Sequence, residues 1–194
     1  MKYKAILWDA DGVVIKSPYL FSEQLALDYG ISMDKMLPFF TGVFRECSLG
    51  KADLREELAK VIGDWGWQGT VDELIDYWFT KGTVFDPEVS DFIKLLKAQG
   101  VRCFMTTDNE KYRGQYLRSQ LSDLFEQVFL SGEIGLAKKD RGFFEYVWER
   151  IGVDDKAEVL FVDDSARNVE VAKEFGIAGY FFSDLNDLKK YLAE

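Results

Sequence analysis

Residues 5–13 read AILWDADGV. The apolar first half is typical of a buried strand in a parallel sheet, and the second half places two carboxylates, Asp9 and Asp11, where the chain leaves that strand. Because side chains alternate along an extended chain, residues two apart point to the same side. The stretch therefore predicts a strand that delivers a pair of acidic side chains to one edge of a sheet.

Similar apolar segments recur along the chain and alternate with helical patterns. The clearest helix begins after Asp86, a typical N-cap, with Pro87 at its first position, and it ends at Gln99 before Gly100. This alternation predicts an α/β fold, a doubly wound, Rossmann-like parallel sheet with its sites at the carboxyl ends of the strands. The predicted strands are Ala5–Trp8, Val101–Thr106, Gln127–Leu130, Val159–Val162 and Gly179–Phe182.

The interval 16–84 breaks this rhythm, because it lacks a convincing strand and contains several helical patterns. Two of them are Asp53–Ile62 and Thr70–Phe79, the second opened by a capping box of Thr70 with Glu73. We expect residues 1–15 and 85–194 to form the α/β core. Residues 16–84 are expected to form a small all-helical cap over the carboxyl edge of the sheet, with its aromatic residues packed inside it.

The composition excludes several classes of protein. The chain has 194 residues, 47% of them hydrophobic, yet no apolar run approaches the roughly 18 residues of a membrane span, and its start does not resemble a secretory leader. We expect a cytoplasmic protein that binds neither membranes nor nucleic acid, since its formal charge is −10. The absence of histidine excludes Ser-His-Asp and Cys-His catalysis and every His-based metal site.

The acidic pair after the first strand suits phosphoryl transfer. One carboxylate can attack phosphorus while a second protonates the leaving alkoxide, and Asp9 and Asp11 offer both groups. Gly12 would let backbone N–H groups turn toward phosphate oxygens. The alternatives are a turn rich in Asp and Gly, or the start of a calcium loop.

Three later segments also carry reactive side chains at or after strand ends. Thr106-Thr107-Asp108 offers hydroxyls for a phosphate oxygen, although such a segment is often only a turn or helix cap. Lys138 and Lys139 lie in a loop before a helix, where lysines are usually solvated. Asp163-Asp164 ends an apolar strand; two adjacent carboxylates there require a cation, and with Asp9 they form the oxygen environment that Mg²⁺ prefers. Helix capping by Asp164 or Ser165 is the alternative.

The four segments, in this order, resemble the motifs of the haloacid dehalogenase-like hydrolases, in the subgroup that carries a helical cap after the first strand. The resemblance implies that Asp9 is the nucleophile and Asp11 the general acid and base, with Thr107 and Lys138 completing the catalytic set. It also implies phosphate contacts from Gly12, Thr107, Asp108 and Lys138. A bound Mg²⁺ would be held by Asp9, Asp11, Asp163 and Asp164.

Two positions depart from the family pattern. Lys139 stands where the family commonly has proline, and Asp108 occupies a place often held by asparagine. The repeated threonine and the repeated lysine therefore leave two assignments open. We prefer Thr107 because it best precedes the helix Glu110–Arg118, and Lys138 because its distance from Phe144 fits the family.

The sequence thus predicts a Mg²⁺-dependent phosphatase that hydrolyses a small phosphorylated metabolite, such as a sugar phosphate, through an aspartyl-phosphate intermediate. The protein is expected to be a monomer or a homodimer. Arg45 and Lys51 of the cap are candidate substrate contacts, unless they are only solvated charges.

A phosphomutase remains an alternative, because it uses the same motifs. A dehalogenase would need neither Asp11 nor the later acidic pair. A phosphorelay receiver would carry its acidic pair on the first strand, and a non-catalytic binding protein would not need all four elements.

Overall fold

The structure, a computed structural model, describes residues 2–193 and contains one parallel sheet. Its strands are β1 (Ala5–Asp9), β2 (Arg102–Thr107), β3 (Val128–Leu130), β4 (Val159–Asp163) and β5 (Ala178–Phe181). They lie in the order β3-β2-β1-β4-β5, so the predicted α/β fold is confirmed. No helix of the described residues is long and apolar enough to cross a membrane.

The strand register decides which side chains meet. In β1, Asp9 lies opposite Thr106 of β2, and Trp8 lies opposite Val162 of β4, so Asp163 ends β4 next to the end of β1. Since the three strands are parallel, their carboxyl ends share one edge of the sheet. That edge is where the reactive residues of the sequence converge.

Six helices lie within residues 16–84, and no strand interrupts them. The prediction of one continuous helix over Asp53–Ile62 is wrong, because tight hydrogen bonds from the N–H groups of Lys60 and Val61 to carbonyls three residues earlier end the first helix. The predicted capping box of Thr70 with Glu73 is present. The helices are α1 (Phe21–Tyr29), α2 (Met33–Thr41), α3 (Phe44–Cys47), α4 (Leu54–Ala59), α5 (Ile62–Trp65) and α6 (Val71–Lys81).

The remaining helices cover the two faces of the sheet. Ile6 and Trp8 of β1 pack into one apolar cluster, whereas Leu7 packs into a second cluster on the opposite face. The buried members of a third cluster, Leu25 and Leu58 among them, all lie in the cap, and Tyr112 and Tyr116 of the core pack against it. The core helices are α7 (Pro87–Ala98), α8 (Lys111–Leu121), α9 (Ser131–Ile134), α10 (Arg141–Ile151), α11 (Ala166–Phe175) and α12 (Leu185–Ala193), with a 3₁₀ turn at Lys156–Glu158.

The cap joins the core through two segments that run side by side. The Lys16 N–H donates to the Val84 carbonyl at 2.8 Å, the Asp86 N–H donates to the Val14 carbonyl at 2.9 Å, and Ile15 pairs with the partner segment as an antiparallel bridge. We call this pair of segments, residues 14–16 and 84–86, the ribbon. Both expected boundaries of the cap fall within it.

The first turn of α8 makes further contacts between core and cap. The Tyr112 hydroxyl donates to Asp53 Oδ2 at 2.8 Å, and the Lys111 ammonium lies 2.5 Å from the same oxygen. The next residue, Arg113, donates to the Thr83 hydroxyl at 2.6 Å. One turn of one core helix therefore holds the cap at two separate places.

Candidate active site

A buried lysine joins two of the strand-end carboxylates. Lys138 Nζ lies 2.5 Å from Asp9 Oδ1 and 2.7 Å from Asp163 Oδ2, and only 3% of the lysine is exposed. Its neighbour Lys139 is exposed to solvent. Of the two lysines that the sequence leaves open, the loop before α10 therefore sends Lys138 into the site.

Both carboxylates are held in fixed orientations. Asp9 Oδ1 accepts hydrogen bonds from the Ala10 N–H at 2.7 Å and from Lys138, and among residues 2–193 no hydrogen bond reaches Asp9 Oδ2. Asp163 Oδ1 accepts from the Ser165 N–H at 2.7 Å, and the Asn168 amide donates to both oxygens of Asp163 at 3.3 Å. One oxygen of Asp9 is thus anchored by the protein, and the other is left for a ligand.

Negative charge exceeds positive charge at this edge of the sheet. Asp9, Asp163 and Asp164 each offer an oxygen within 4.8 Å of the others, so three carboxylates and the single Lys138 ammonium leave a formal charge of −2 when all are ionised. Burial raises the pKa of Asp9 to about 8 against the opposing pull of Lys138, and the Asp163 carboxylate adds to the rise. A divalent cation among these oxygens would balance the charge.

The charge of Lys138 itself is secure. Burial alone would lower its pKa, but the carboxylates of Asp9 and Asp163 outweigh that effect and raise it above its usual range. The lysine therefore stays protonated beside Asp9.

Asp11 belongs to a second, separate cluster. Its Oδ1 accepts from Arg113 Nη2 at 3.1 Å, and its Oδ2 accepts from the Asn109 amide at 2.8 Å. The same amide donates to the Thr107 hydroxyl at 2.8 Å, whereas the Thr106 hydroxyl donates to the Trp8 carbonyl. Thr107 therefore faces the site beside Asp11, while the Thr106 hydroxyl bonds to the backbone of β1.

Arg113 is the buried centre of this second cluster. Only 6% of its side chain is exposed, although 53% of the Asp11 side chain is exposed. Arg113 donates to Asp11 and to the Gly82 carbonyl through the same Nη2, and to Thr83 through Nη1. One guanidinium thus connects the candidate general acid to the end of the cap.

Gly12 has a steric role at the turn after β1. Its φ is +89°, and a Cβ at this position would lie 2.0 Å from Asp164 Oδ2. Its own N–H donates to the Ile15 carbonyl at 2.8 Å, so that donor is engaged within the protein rather than free for phosphate. Glycine at this position lets the first turn lie against Asp164.

Several of the predicted site residues lie outside the group of three carboxylates near Lys138. The Asp11 carboxylate is not one of the three that gather near Lys138, and its role as a metal ligand stays a prediction. Asp108 Oδ1 accepts from the Lys138 N–H at 3.0 Å and so holds the lysine loop. Arg45 is exposed, and Lys51 lies 3.9 Å from Glu46 beside a separate cavity of about 210 Å³.

A larger cavity of about 890 Å³ opens between the site and the cap. The part of its lining that belongs to the core consists of Asp11, Gly12, Ile15, Asn109 and Arg113, and residues of α1, α2 and α6 form much of the remainder. The second cluster therefore lies at the floor of a cavity that could hold the bulk of a ligand.

A family profile described as haloacid dehalogenase-like hydrolase matches residues 3–176. The chain belongs to the haloacid dehalogenase-like hydrolases. The two clusters are therefore the candidate active site of a hydrolase of that family.

Individual relatives of this hydrolase were found among characterised proteins and solved structures. It is 34% identical to the sesquiterpene phosphatase astK of Aspergillus oryzae over 101 residues, which is 51% of each chain, so the match spans about half of that relative. It is 25% identical to the D-ribitol-5-phosphate phosphatase of Bacteroides thetaiotaomicron over 187 residues, 89% of this chain and 88% of that one. A HAD family enzyme from B. thetaiotaomicron, solved with magnesium and inorganic phosphate, superposes with a TM-score of 0.78 at 22% identity, covering 96% of this chain and 98% of that chain.

Sequence reasoning missed three residues of this hydrolase's site. Asn109 and Asn168 each follow a strand-end motif closely, so extending the motifs by a few residues would have included them. Arg113 lies within α8 and carries no such signal, because its contact with Asp11 depends on how that helix packs against the sheet.

Proposed function

We propose that this hydrolase is a Mg²⁺-dependent phosphatase that cleaves a small phosphomonoester through an aspartyl phosphate on Asp9. The observation that carries the proposal is the group of three carboxylates, two of which contact the buried Lys138 ammonium, together with an oxygen of Asp9 that receives no hydrogen bond from residues 2–193. The phosphatase names of two relatives and the magnesium and phosphate bound to a solved neighbour support it.

The donor set fits Mg²⁺. Asp9, Asp163 and Asp164 offer only carboxylate oxygens, the ligands that this hard cation prefers, and the formal charge of −2 that they carry together with Lys138 balances the charge of the ion. When bound, the ion would reduce the repulsion between the phosphate and the carboxylates and stabilise charge on the transferring phosphoryl group.

The side chains divide the reaction between them. Asp9 Oδ2 attacks phosphorus, the bond from phosphorus to the ester oxygen breaks, and Asp11 gives its proton to the leaving alkoxide. Asp11, now a carboxylate, then takes a proton from a water that attacks the aspartyl phosphate, which regenerates Asp9 and releases inorganic phosphate. Lys138 holds Asp9 through its other oxygen, and the Thr107 hydroxyl is placed to bind a phosphate oxygen.

The arrangement disfavours a dehalogenase. Displacement of halide from carbon needs no proton donor, whereas Asp11 is held by two donors beside the site. A receiver domain is disfavoured because Asp163 ends the fourth strand, Asp164 follows it, and six cap helices come after the first strand. A phosphomutase shares the same side chains and differs in what attacks the aspartyl phosphate.

The similarity to known proteins does not identify the substrate. One relative is named for a sesquiterpene and another for D-ribitol 5-phosphate, and these compounds differ in polarity. The earlier expectation of a sugar phosphate is supported only by the second.

Release of phosphate from p-nitrophenyl phosphate tests the activity. We expect turnover with Mg²⁺, none in excess chelator, and recovery when Mg²⁺ is added back. Asp9→Asn should reduce turnover on the order of 10⁴-fold or more, because an amide cannot form the aspartyl phosphate. Its folding should be checked by circular dichroism. Near wild-type turnover by Asp9→Asn would eliminate the mechanism, and full activity in chelator would eliminate the metal.

A further inference from the structure

The cavity above the site is far larger than a phosphate group needs. Its volume of about 890 Å³ lies toward the upper end of the roughly 300–1,000 Å³ typical of small-molecule sites. Phosphate would occupy only the floor, where Asp11 and Gly12 lie. The character of the remaining wall therefore decides which alcohol the enzyme releases.

That wall is mostly hydrocarbon. α1, α2, α3, α6 and the segment before α1 each contribute large apolar side chains to it. We call these six residues the apolar wall: Leu20, Phe21, Leu37, Phe40, Phe44 and Trp78.

The aromatic part of the wall is already assembled. Phe21 stacks on Trp78 with ring centroids 4.4 Å apart, and Phe40 and Phe44 lie 5.5 and 5.3 Å from Trp78. The cap's own apolar cluster includes or packs against all four rings. A ligand would thus meet a preformed surface rather than have to order one, which lowers the entropic cost of binding.

Several polar groups around the cavity are engaged within the protein. The Ser17 hydroxyl donates to the Gly82 carbonyl at 2.6 Å, a carboxylate oxygen of Glu23 accepts from the Leu20 N–H at 2.8 Å, and the Lys16 ammonium pairs with Asp86 at 2.9 Å. Each of these groups already makes one interaction within the protein, so it has fewer hydrogen bonds to offer a polyol that loses water in this cavity.

The rim of the wall leaves apolar surface uncovered. Leu20 is 70% exposed and Leu37 is 58% exposed, and with Tyr19 and Met33 they make four large exposed apolar residues on one cavity. Contiguous exposed apolar surface of this kind usually marks a binding site. Its continuity with Asp11 at the floor identifies the occupant as the other half of the molecule whose phosphate binds there.

We propose that the substrate is the phosphomonoester of an apolar alcohol, an extended hydrocarbon that lies against the apolar wall while its phosphate reaches Asp9. This inference rests on the proposed phosphatase function and adds the chemical class of the substrate. Hydrocarbon burial then supplies the binding energy, and the floor supplies the chemistry.

A series of n-alkyl monophosphates tests the proposal. With Mg²⁺ present, kcat/KM should rise from ethyl through butyl and hexyl to octyl phosphate, by roughly two- to fourfold per methylene, the upper value being that of full burial. Octyl phosphate should also be cleaved at a higher kcat/KM than D-ribitol 5-phosphate. All substrates must be kept below their micelle concentrations.

Two exposed leucines of the wall provide the variants, and one outside it the matched control. The double variant Leu20→Ser and Leu37→Ser should lower the octyl-to-ethyl ratio of kcat/KM by at least about fivefold, because it removes hydrocarbon from the surface that the chain contacts. Leu27→Ser changes a leucine of the cap that is 65% exposed and does not line the cavity. That ratio should be unchanged in Leu27→Ser.

The outcomes separate this inference from the function on which it rests. A flat or falling alkyl series, with D-ribitol 5-phosphate preferred, would overturn the inference and leave the phosphatase intact. If no phosphomonoester is cleaved, the proposed function fails, and calorimetric titration then decides the inference. Tighter binding of octyl than of ethyl phosphate, lost in the double variant but not in Leu27→Ser, would support it; equal binding would overturn it.

Discussion

The floor of the site and the apolar wall above it differ in how their side chains are partnered. We include in the floor the neighbouring group of Lys138, Asp9 and Asp163, which are buried and joined by short hydrogen bonds. On the rim of the wall, Leu20 and Leu37 face solvent. The floor is therefore held in one geometry by the protein itself, as the chemistry requires, whereas the wall keeps part of its surface for a ligand.

The largest effect is expected from a change in the floor. Lys138→Met leaves Asp9 and Asp163 buried without their counter-charge, which should lower the free energy of unfolding by about 3–5 kcal/mol in metal-free protein and turnover by at least roughly a thousandfold. Mg²⁺ should restore part of the lost stability, because it supplies the missing positive charge. Urea denaturation with and without Mg²⁺ measures both effects.

Lys139→Met is the matched control for that change, because it alters an exposed lysine in the same loop. We expect its stability to stay within about 0.5 kcal/mol of wild type. If the two variants were equally stable without metal, the floor would not depend on Lys138, and the contrast with the wall would disappear.

An intermediate effect is expected at Arg113, where the floor meets the cap. Arg113→Met should lower kcat more than it raises KM, by roughly 10- to 100-fold, because Asp11 loses a partner that positions it to protonate the leaving group. The loss should be greater for an alkyl phosphate than for p-nitrophenyl phosphate, whose leaving group needs little protonation. Steady-state kinetics on the two substrates measures this difference.

Two further variants control the Arg113 prediction. Arg113→Lys should recover part of the activity, and Arg118→Met alters an arginine of the same helix that pairs with Glu133 and does not line the cavity. An equal loss on both substrates would show that Arg113 only stabilises the fold.

The smallest effect on stability is expected in the wall. Leu37→Ser should change the free energy of unfolding by less than about 0.5 kcal/mol, because 58% of Leu37 is already exposed. Thermal and urea denaturation check this value. A loss of unfolding free energy above about 1.5 kcal/mol would mean that Leu37 is a packing residue of the cap. The wall would then contribute to stability as the floor does, and the contrast between them would fail.

The sequence predicts the floor of the site better than it predicts the apolar wall. Parallel strands bring their carboxyl ends to one edge, so Asp9, Thr107 and Asp163 could be placed together from strand positions alone. Charge repulsion between Asp163 and Asp164 pointed to a cation before any distance was known.

The wall depends on how cap helices rotate against one another, which a hydrophobic pattern does not specify. The sequence predicts that the aromatic residues of the cap pack inside it, and Phe79 is indeed buried, yet Trp78 next to it both packs and lines the cavity. By sequence, Arg45 and Lys51 are either substrate contacts or solvated charges, and neither of them lines the cavity above the site. No sequence pattern indicates the role of Arg113, because that role arises from tertiary contact between α8, Asp11 and the cap.

The ribbon has a consequence for how the chain folds. β1 and β2 are neighbours in the sheet, with Ala5 opposite Arg102, yet the whole cap separates them in sequence. Closing so long a loop is entropically costly and slows folding when it must precede strand pairing. The cap helices make mostly local contacts, and the pairing of Ile15 with Phe85 brings the two ends of the cap together. Once that group of helices has formed, the connection from β1 to β2 is effectively shortened to the ribbon and α7, which is the length of an ordinary helical crossover between parallel strands.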